Sequence, residues 1–365
     1  MQILTDWFKK YFTDPQIVSL AVVLVIGFTV VLFFGNMLMP VLASIVIAYL
    51  LEGLVCRLER IGLSRLMATI IVFSVFMMFV LAIFFGLLPR ISRQATELFQ
   101  QLPSIISKGQ KALMQLPERY PEFVSPEQIQ ELIALIRSEL ADYGQKILTV
   151  SLASVVGLIT LSVYLVLMPL LVFFFLKDKD LIIDWFRQYL PKHRKFAGSV
   201  WKDVDRQIGN YVRGKFWEIV ILWAVSFATF SILGLNFSML LSVLVGLSVI
   251  IPYIGAAVVT IPVLVIAWFQ WGWSSDFIWL TGAYFVVQAL DGNVLVPLLF
   301  SEVVNLHPVA IIVAILVFGG LWGFWGVFFA IPLATLVQAV LTAWPREGHP
   351  LEDDDGDPAL EKRTA

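Results

Sequence analysis

Residues 216–345 contain no lysine and no arginine, a run of 130 positions. Only Glu218, Asp276, Asp291 and Glu302 carry formal charge there. A water-facing surface of that length needs many more charges, so the stretch faces lipid or other membrane helices. Other scarcities exclude function classes. One cysteine, Cys56, rules out intrachain disulfides and cysteine-based zinc sites. Histidine occurs only at His193, His307 and His349. Charged residues make up 14% of the chain and the net charge is −2, so no basic excess points to nucleic acid. No HExxH and no familiar protease pairing of Ser with His occurs at membrane depth. The segment Gly209-Asn210-Tyr211-Val212-Arg213-Gly214-Lys215 matches seven positions of a phosphate-binding loop, but Phe216 stands where Ser or Thr must ligate magnesium. The chain reads as a non-enzyme, with no cofactor and no dedicated metal site.

What is present is apolar: 59% hydrophobic residues and a mean hydropathy of +0.87. These values indicate an all-α polytopic membrane protein. The amphipathic N-terminus precedes a full apolar span, so it reads as a cytoplasmic interfacial segment rather than a cleaved leader. The expected organisation is three membrane segments in 1–88, with Gly35-Asn36 and Pro40 breaking the first from the second; a periplasmic helical insert, 89–146; a fourth segment, 147–176, kinked at Pro169; cytoplasmic basic amphipathic helices, 177–215; a core with broken helices, 216–345; and an acidic disordered tail, 346–365. In the insert, Ser125-Pro126-Glu127-Gln128 is a capping box ahead of Ile129, Leu132, Ile133, Ile136 and Leu140 at helical spacing. Lys/Arg bias after the second and fourth segments places those loops, and both termini, in the cytoplasm.

The core holds two interrupted units. In the first, short apolar flanks surround Ile251-Pro252-Tyr253-Ile254-Gly255; in the second, they surround Gly319-Gly320-Leu321-Trp322-Gly323. Each unit carries a glycine six residues before an Ile-Pro: Gly246 before Pro252, and Gly326 before Pro332. Each unit is either one long broken span or a re-entrant hairpin. Paired interruptions of this kind point to a transport site, because broken helices free backbone groups for solute. Simple kinks and close helix packing are the structural alternative.

Between the units, Thr281, Tyr284, Gln288 and Asp291 share one helix face. Asp291-Gly292-Asn293 is expected to disrupt that helix, with Pro297 following. Asp291 is the leading candidate to carry Na+ or H+, with Gln288 and Asn293 as polar ligands; capping free amides at the break is its other use. Glu302 and His307-Pro308 read as a surface loop, or as a gate. Glu218 reads as the partner of Lys215 in an interfacial ion pair, and Asp276 as a helix cap.

The Ile251–Gly255 segment, Gln288-Ala289-Leu290-Asp291-Gly292-Asn293 with Pro297, Asn305-Leu306-His307-Pro308, and the run from Gly319 through Gly326 to Ile331-Pro332 resemble the signature segments of the autoinducer-2 exporter family. Ser151-Leu152-Ala153-Ser154-Val155-Val156-Gly157 and Phe175-Leu176-Lys177-Asp178-Lys179 resemble a permease branch of that family. The resemblance implies an inner-membrane protein with about eight membrane segments, the two broken or re-entrant units among them. It also implies a homo-oligomer, with a pentamer expected, and transport of a small solute or ion without ATP hydrolysis. The expected function is therefore a secondary transporter exporting a small polar organic solute or signalling molecule on a proton or sodium gradient. The alternatives are a passive channel, a sodium/proton antiporter, or a membrane scaffold acting through the insert. The expected pathway comprises Thr281, Tyr284, Gln288, Asp291, Asn293, Pro252, Tyr253, Gly255, Glu302, His307, Gly319, Gly320, Gly323 and Pro332, with the lipid bilayer as the surrounding partner.

Overall fold

The computed structural model describes residues 15–115, 154–188, 195–252, 254–300 and 306–343, with five further helical positions between 127 and 134. Every regular element among them is helical: α1 (Pro15–Arg60), α2 (Arg65–Ala82), α3 (Leu88–Met114), α4 (Ser154–Lys177), α5 (Lys179–Gln188), α6 (Lys195–Ile232), α7 (Ser238–Ser248), α8 (Ile254–Trp271), α9 (Ser275–Leu290), α10 (Val296–Phe300), α11 (Pro308–Phe328) and α12 (Ala330–Ala343). Six helical stretches among the described residues are long and apolar enough to cross a bilayer. The chain is an all-α polytopic membrane protein.

The helices run further than the sequence pattern predicts. The break expected at Gly35, Asn36 and Pro40 is absent, and α1 is a single helix of 46 residues. A break in hydrocarbon would strand backbone groups, whereas a continuous helix bonds them internally. At Pro40 the Ser44 hydroxyl lies 2.6 Å from the Pro40 carbonyl and 3.2 Å from the Met168 carbonyl of α4. That contact tethers the two helices beside their prolines.

The chain also runs unbroken from Arg65 to Met114, because a π-turn (Ile83–Leu87) joins α2 to α3. The first part of the expected insert is thus the extension of a membrane helix. Its face packs on the core through Leu98, and Gln94 Oε1 accepts from the Leu240 amide at 2.8 Å. Ile129 and Ile133 of the expected capped helix are buried, and the Ser125 cap itself lies outside the described residues. A second π-turn (Asp291–Leu295) joins α9 to α10, so the helix expected to break at Asp291 continues to Phe300. Both π-turns end two residues before a proline, Pro89 and Pro297. A proline ring clashes with the carbonyl four residues earlier, and a π-turn widens the helix there while preserving its path.

Two clusters organise the bundle. Val55, Ala68, Val72, Val172 and Leu176 join α1, α2 and α4. At their shared end Arg65 pairs with Glu52 at 2.8 Å and donates to the Leu176 carbonyl at 2.6 Å, while Lys179 reaches Glu52 at 3.1 Å. The larger cluster joins α6, α7, α8 and α9 through Leu222, Phe230, Leu241, Val263, Leu280 and Tyr284. The expected boundary at 215 falls in the middle of α6: charge density changes there, and helical structure does not.

Both interrupted units are hairpins. With 11 residues, α7 is about 16 Å long and cannot cross a hydrocarbon core of about 30 Å. It folds back on α8 through a turn that includes residues 249–252, and a Cβ on Gly255 would overlap the Ser248 carbonyl. The two ends of the hairpin meet: Gln270 Nε2 donates to the Gly234 carbonyl, and Gln270 Oε1 accepts from the Asn236 amide, each at 2.8 Å. The second unit turns at Gly323, whose φ of 59° and ψ of −135° are inaccessible to most side chains. Its arms pack through Ala314 and Ile315 against Ala330, and a Cβ on Gly326 would overlap the Phe318 carbonyl. The structural counterpart of Gly326 is therefore Gly255. Gly246, the counterpart expected from the Ile-Pro spacing, instead packs on Trp223 and Ile219 of α6.

This geometry predicts that Asn236→Cys and Ser275→Cys, each in a Cys56→Ser background, react with a membrane-impermeant maleimide from the same face of the membrane. Labelling from opposite faces would mean that residues 238–271 cross the bilayer rather than fold back.

Candidate functional site

The site centres on α6. Tyr211, Lys215, Glu218, Leu222, Ser226 and Phe230 recur every three or four residues and form one buried stripe. Lys215 and Glu218 are only 5% and 2% exposed, and their side chains pair at 2.7 Å. The pair was expected at the membrane interface. It is buried because its residues occupy the register of the apolar stripe, with Tyr211 before it and Leu222 after it. The sequence signal was this register: residues 211, 215, 218 and 222 lie on the face that packs against the rest of the bundle.

The continuous α9–α10 helix lies against this stretch. A Cβ on Gly214 would lie 2.8 Å from the Phe300 ring and 3.3 Å from the Leu299 carbonyl. Lys215 Nζ sits 5.3 Å from the Phe300 ring centroid, which gives the ammonium an aromatic face as well as a carboxylate. Tyr211 packs on the same ring, with centroids 5.8 Å apart. At the π-turn of this helix, Asp291 is half-buried. Asp291 Oδ1 is buried and has no hydrogen-bond partner. Buried carboxylate oxygens are normally bonded, so a free one marks a place where something else can bind.

The polar stripe on α9 divides in two. Tyr284 is fully buried, and its hydroxyl lies 2.9 Å from Thr260 Oγ1 on α8 and accepts from Gln288 Nε2 at 2.9 Å. Thr260 Oγ1 in turn donates to the Ala256 carbonyl at 2.7 Å, so the Tyr284 hydroxyl donates to Thr260. That closed chain ties α9 to the first hairpin. Thr281 Oγ1 is buried without a partner. Asn293 is exposed, and its amide donates to the Ala289 carbonyl one turn back at 2.8 Å, so it bonds its own helix.

The arms of both hairpins pack on the same stretch of α6. Gly246, two residues before the end of α7, packs against the Ile219 carbonyl. From the second hairpin, the Phe328 carbonyl accepts from the Tyr211 hydroxyl at 3.5 Å, and Ile331 packs on Tyr211 and Val212. Pro252 lies in the first turn, where its carbonyl accepts from the Ile254 amide at 2.7 Å. Pro332 is buried, and its carbonyl accepts from the Thr335 hydroxyl at 2.8 Å. Gly319 packs beside Val327, whereas Gly320 faces open space.

His307 is exposed and caps α11, its Nδ1 accepting from the Val309 amide at 3.3 Å. Ser274, rather than Asp276, caps α9, with Asp276 in the first turn. Tyr253 and Glu302 lie outside the described residues. A separate hollow of about 370 Å³ lies where α3 meets the start of α7 and includes Arg90 and Arg93 in its lining; the charged cluster takes no part in it.

Residues 20–346 match the model of the AI-2E family transporters. The chain is 48% identical to "Putative permease PerM" of Escherichia coli (strain K12), covering 94% of this chain and 98% of that protein. It is 24% identical to "Putative transport protein YueF" of Bacillus subtilis (strain 168), over 85% of this chain and 84% of that protein. With "AI-2 transport protein TqsA" of E. coli (strain K12) it shares 22% identity over 88% of this chain and 92% of that protein.

The two glycine–carbonyl contacts generate a prediction. Gly255→Ala and Gly326→Ala should each lower the melting temperature of the purified protein, reflecting an overpacking cost of about 1–3 kcal/mol. Gly282→Ala, on α9 with open space around it, should leave the melting temperature unchanged or raise it.

Proposed function

Because the chain belongs to the AI-2E family of transporters, we propose that it is a gradient-driven secondary transporter that exports a small polar solute, with Asp291 binding the coupling ion. The observation that carries this reading is the buried, unpartnered Asp291 oxygen at a π-turn, within a helical stretch long and apolar enough to cross a membrane. π-turns are frequent at functional sites, where they add a residue to the helix and turn its side chains towards a new direction. Ionisable groups at membrane depth commonly mark ion pathways.

In this mechanism the turns of the two hairpins gate access to the ion site. The carbonyls of residues 249–252 and those around Gly323 lie at departures from regular helix, and they are suited to the polar atoms of a solute. The Tyr284–Gln288–Thr260 chain holds α9 against the first hairpin, so a change at Asp291 reaches that hairpin through a rigid contact. The proposal includes a bacterial inner-membrane location, cytoplasmic termini and a homo-oligomer, with a pentamer as its specific form. Exposed apolar residues on α2 such as Val75 and Met78 suit either lipid or a neighbouring copy.

The test is ion-driven flux in proteoliposomes. Asp291→Asn keeps the size of the side chain and removes its charge, so solute accumulation driven by an imposed Na+ or H+ gradient should fall to the level of empty liposomes. Accumulation at the wild-type level in that variant would remove Asp291 from the mechanism.

A further inference from the structure

The hollow between α3 and the start of α7 has no part in the reading above. Its volume of about 370 Å³ falls in the range of small-ligand pockets, roughly 300–1,000 Å³. Arg90, Arg93, Gln94 and Glu97 line it from one face of α3, at three- and four-residue spacing. Both arginines are exposed, and neither forms an ion pair or hydrogen bond with another described residue, Glu97 included. Gln94 is committed: its Oε1 accepts from the Leu240 amide at 2.8 Å and holds α3 against α7. Across the hollow stand Ser238 and Met239, the first two residues of α7. The first amides of a helix have no partner within it, and Phe237 at the N-cap supplies no side-chain bond.

The depth of the hollow follows from the helix that carries it. Arg65 and Arg90 lie on one helical path with no charged residue between them, about 37 Å apart at a rise of about 1.5 Å per residue. The hydrocarbon core is about 30 Å thick, so Arg90 stands at the membrane surface opposite Arg65, at the level of lipid phosphates. Phe85 and Leu88, just before it, are exposed apolar side chains suited to acyl chains. Two guanidinium groups and Glu97 leave one net positive charge, to which the start of α7 adds about half a unit. A phosphodiester carries one negative charge, and guanidinium forks match its oxygens. A soluble phosphate monoester carries about two at neutral pH, one more than the lining compensates.

We propose that this hollow binds the phosphate of an anionic phospholipid, with Arg90 and Arg93 on its oxygens and the first amides of α7 as further donors. Basic pockets between membrane helices recognise headgroups in this way. Phe227 and Met239 supply an apolar wall for the glycerol and the first acyl carbons. A lipid bound there bridges α3 and the first hairpin, alongside the Gln94–Leu240 bond. The inference is independent of Asp291 and of the transport reading.

The experiment titrates the purified full-length protein, in an uncharged detergent, with phosphatidylglycerol and counts bound lipid by native mass spectrometry. Phosphatidylcholine, which has the phosphate but no net charge, is the comparison. One phosphatidylglycerol per protomer should bind about fivefold or more tighter than phosphatidylcholine. Arg90→Gln/Arg93→Gln should weaken phosphatidylglycerol binding by about tenfold or more. Its melting temperature without lipid should match wild type, because both arginines are exposed and unpaired. Glu97→Gln, which removes a negative charge from the lining, should tighten binding. Arg57→Gln/Arg60→Gln, an exposed basic pair at the Arg65 surface, should bind as wild type does.

Equal affinity for the two lipids overturns the proposal, as does wild-type binding by the Arg90/Arg93 variant or weaker binding by Glu97→Gln. Equal losses in the Arg57/Arg60 and Arg90/Arg93 variants would mean that lipid follows overall charge rather than the hollow. Displacement of the lipid by glycerol 3-phosphate would reassign the hollow to a soluble phosphate ester and overturn the lipid assignment.

Discussion

A peptide amide or carbonyl facing hydrocarbon without a partner costs several kcal/mol, and this constraint decides the path of the chain. Residues that end helices in water do not end them here. The chain passes Pro40, Pro103 and Pro169 inside helices, and it approaches Pro89 and Pro297 through π-turns that absorb the clash without opening the backbone. Where the interrupted units turn, at residues 249–252 and at Gly323, the returning arm packs close, and glycines at 255 and 326 let the two backbones approach. The irregular backbone of these turns is suited to exchanging a solute's water for carbonyls.

Electrostatics follows from the same confinement. The charges of α1, α2 and α5 gather at one end of the bundle, where Arg65 takes up both Glu52 and the last carbonyls of α4. Half-exposed Lys179 can trade that carboxylate for water with little loss. Lys215 and Glu218 have no such exchange available, because both are enclosed by α6 packing. Their attraction holds only while each has the other or a substitute of equal charge.

Much of this was legible in the sequence. The cation-free tract holds several helical stretches long and apolar enough to cross a membrane. The paired Gly/Pro interruptions identified the hairpins and left open only whether they cross. What could not be read from periodicity was three-dimensional contact. Gly246 and Gly255 look alike in sequence, yet one meets a neighbouring helix and the other meets the carbonyl of its own hairpin. Asp291-Gly292-Asn293 has the composition of a helix break. The structure makes it a π-turn because unwinding in lipid costs more than widening the helix. The Lys215–Glu218 pair was read as an interfacial ion pair; its enclosure follows from its register with buried Tyr211 and Leu222, which requires knowing which face of α6 packs inward.

That register brings both hairpins to one stretch of α6. Residues 211 to 219 of α6 extend about 12 Å along the axis. Within that length α6 meets the short arm of the first hairpin at Ile219 and the returning arm of the second at Tyr211, with its own ion pair between them. A displacement of either arm away from α6 would admit water to Lys215 and Glu218 and lower the cost of separating them. Coupling the two hairpins requires no relay across the protein, because one segment of one helix packs against both.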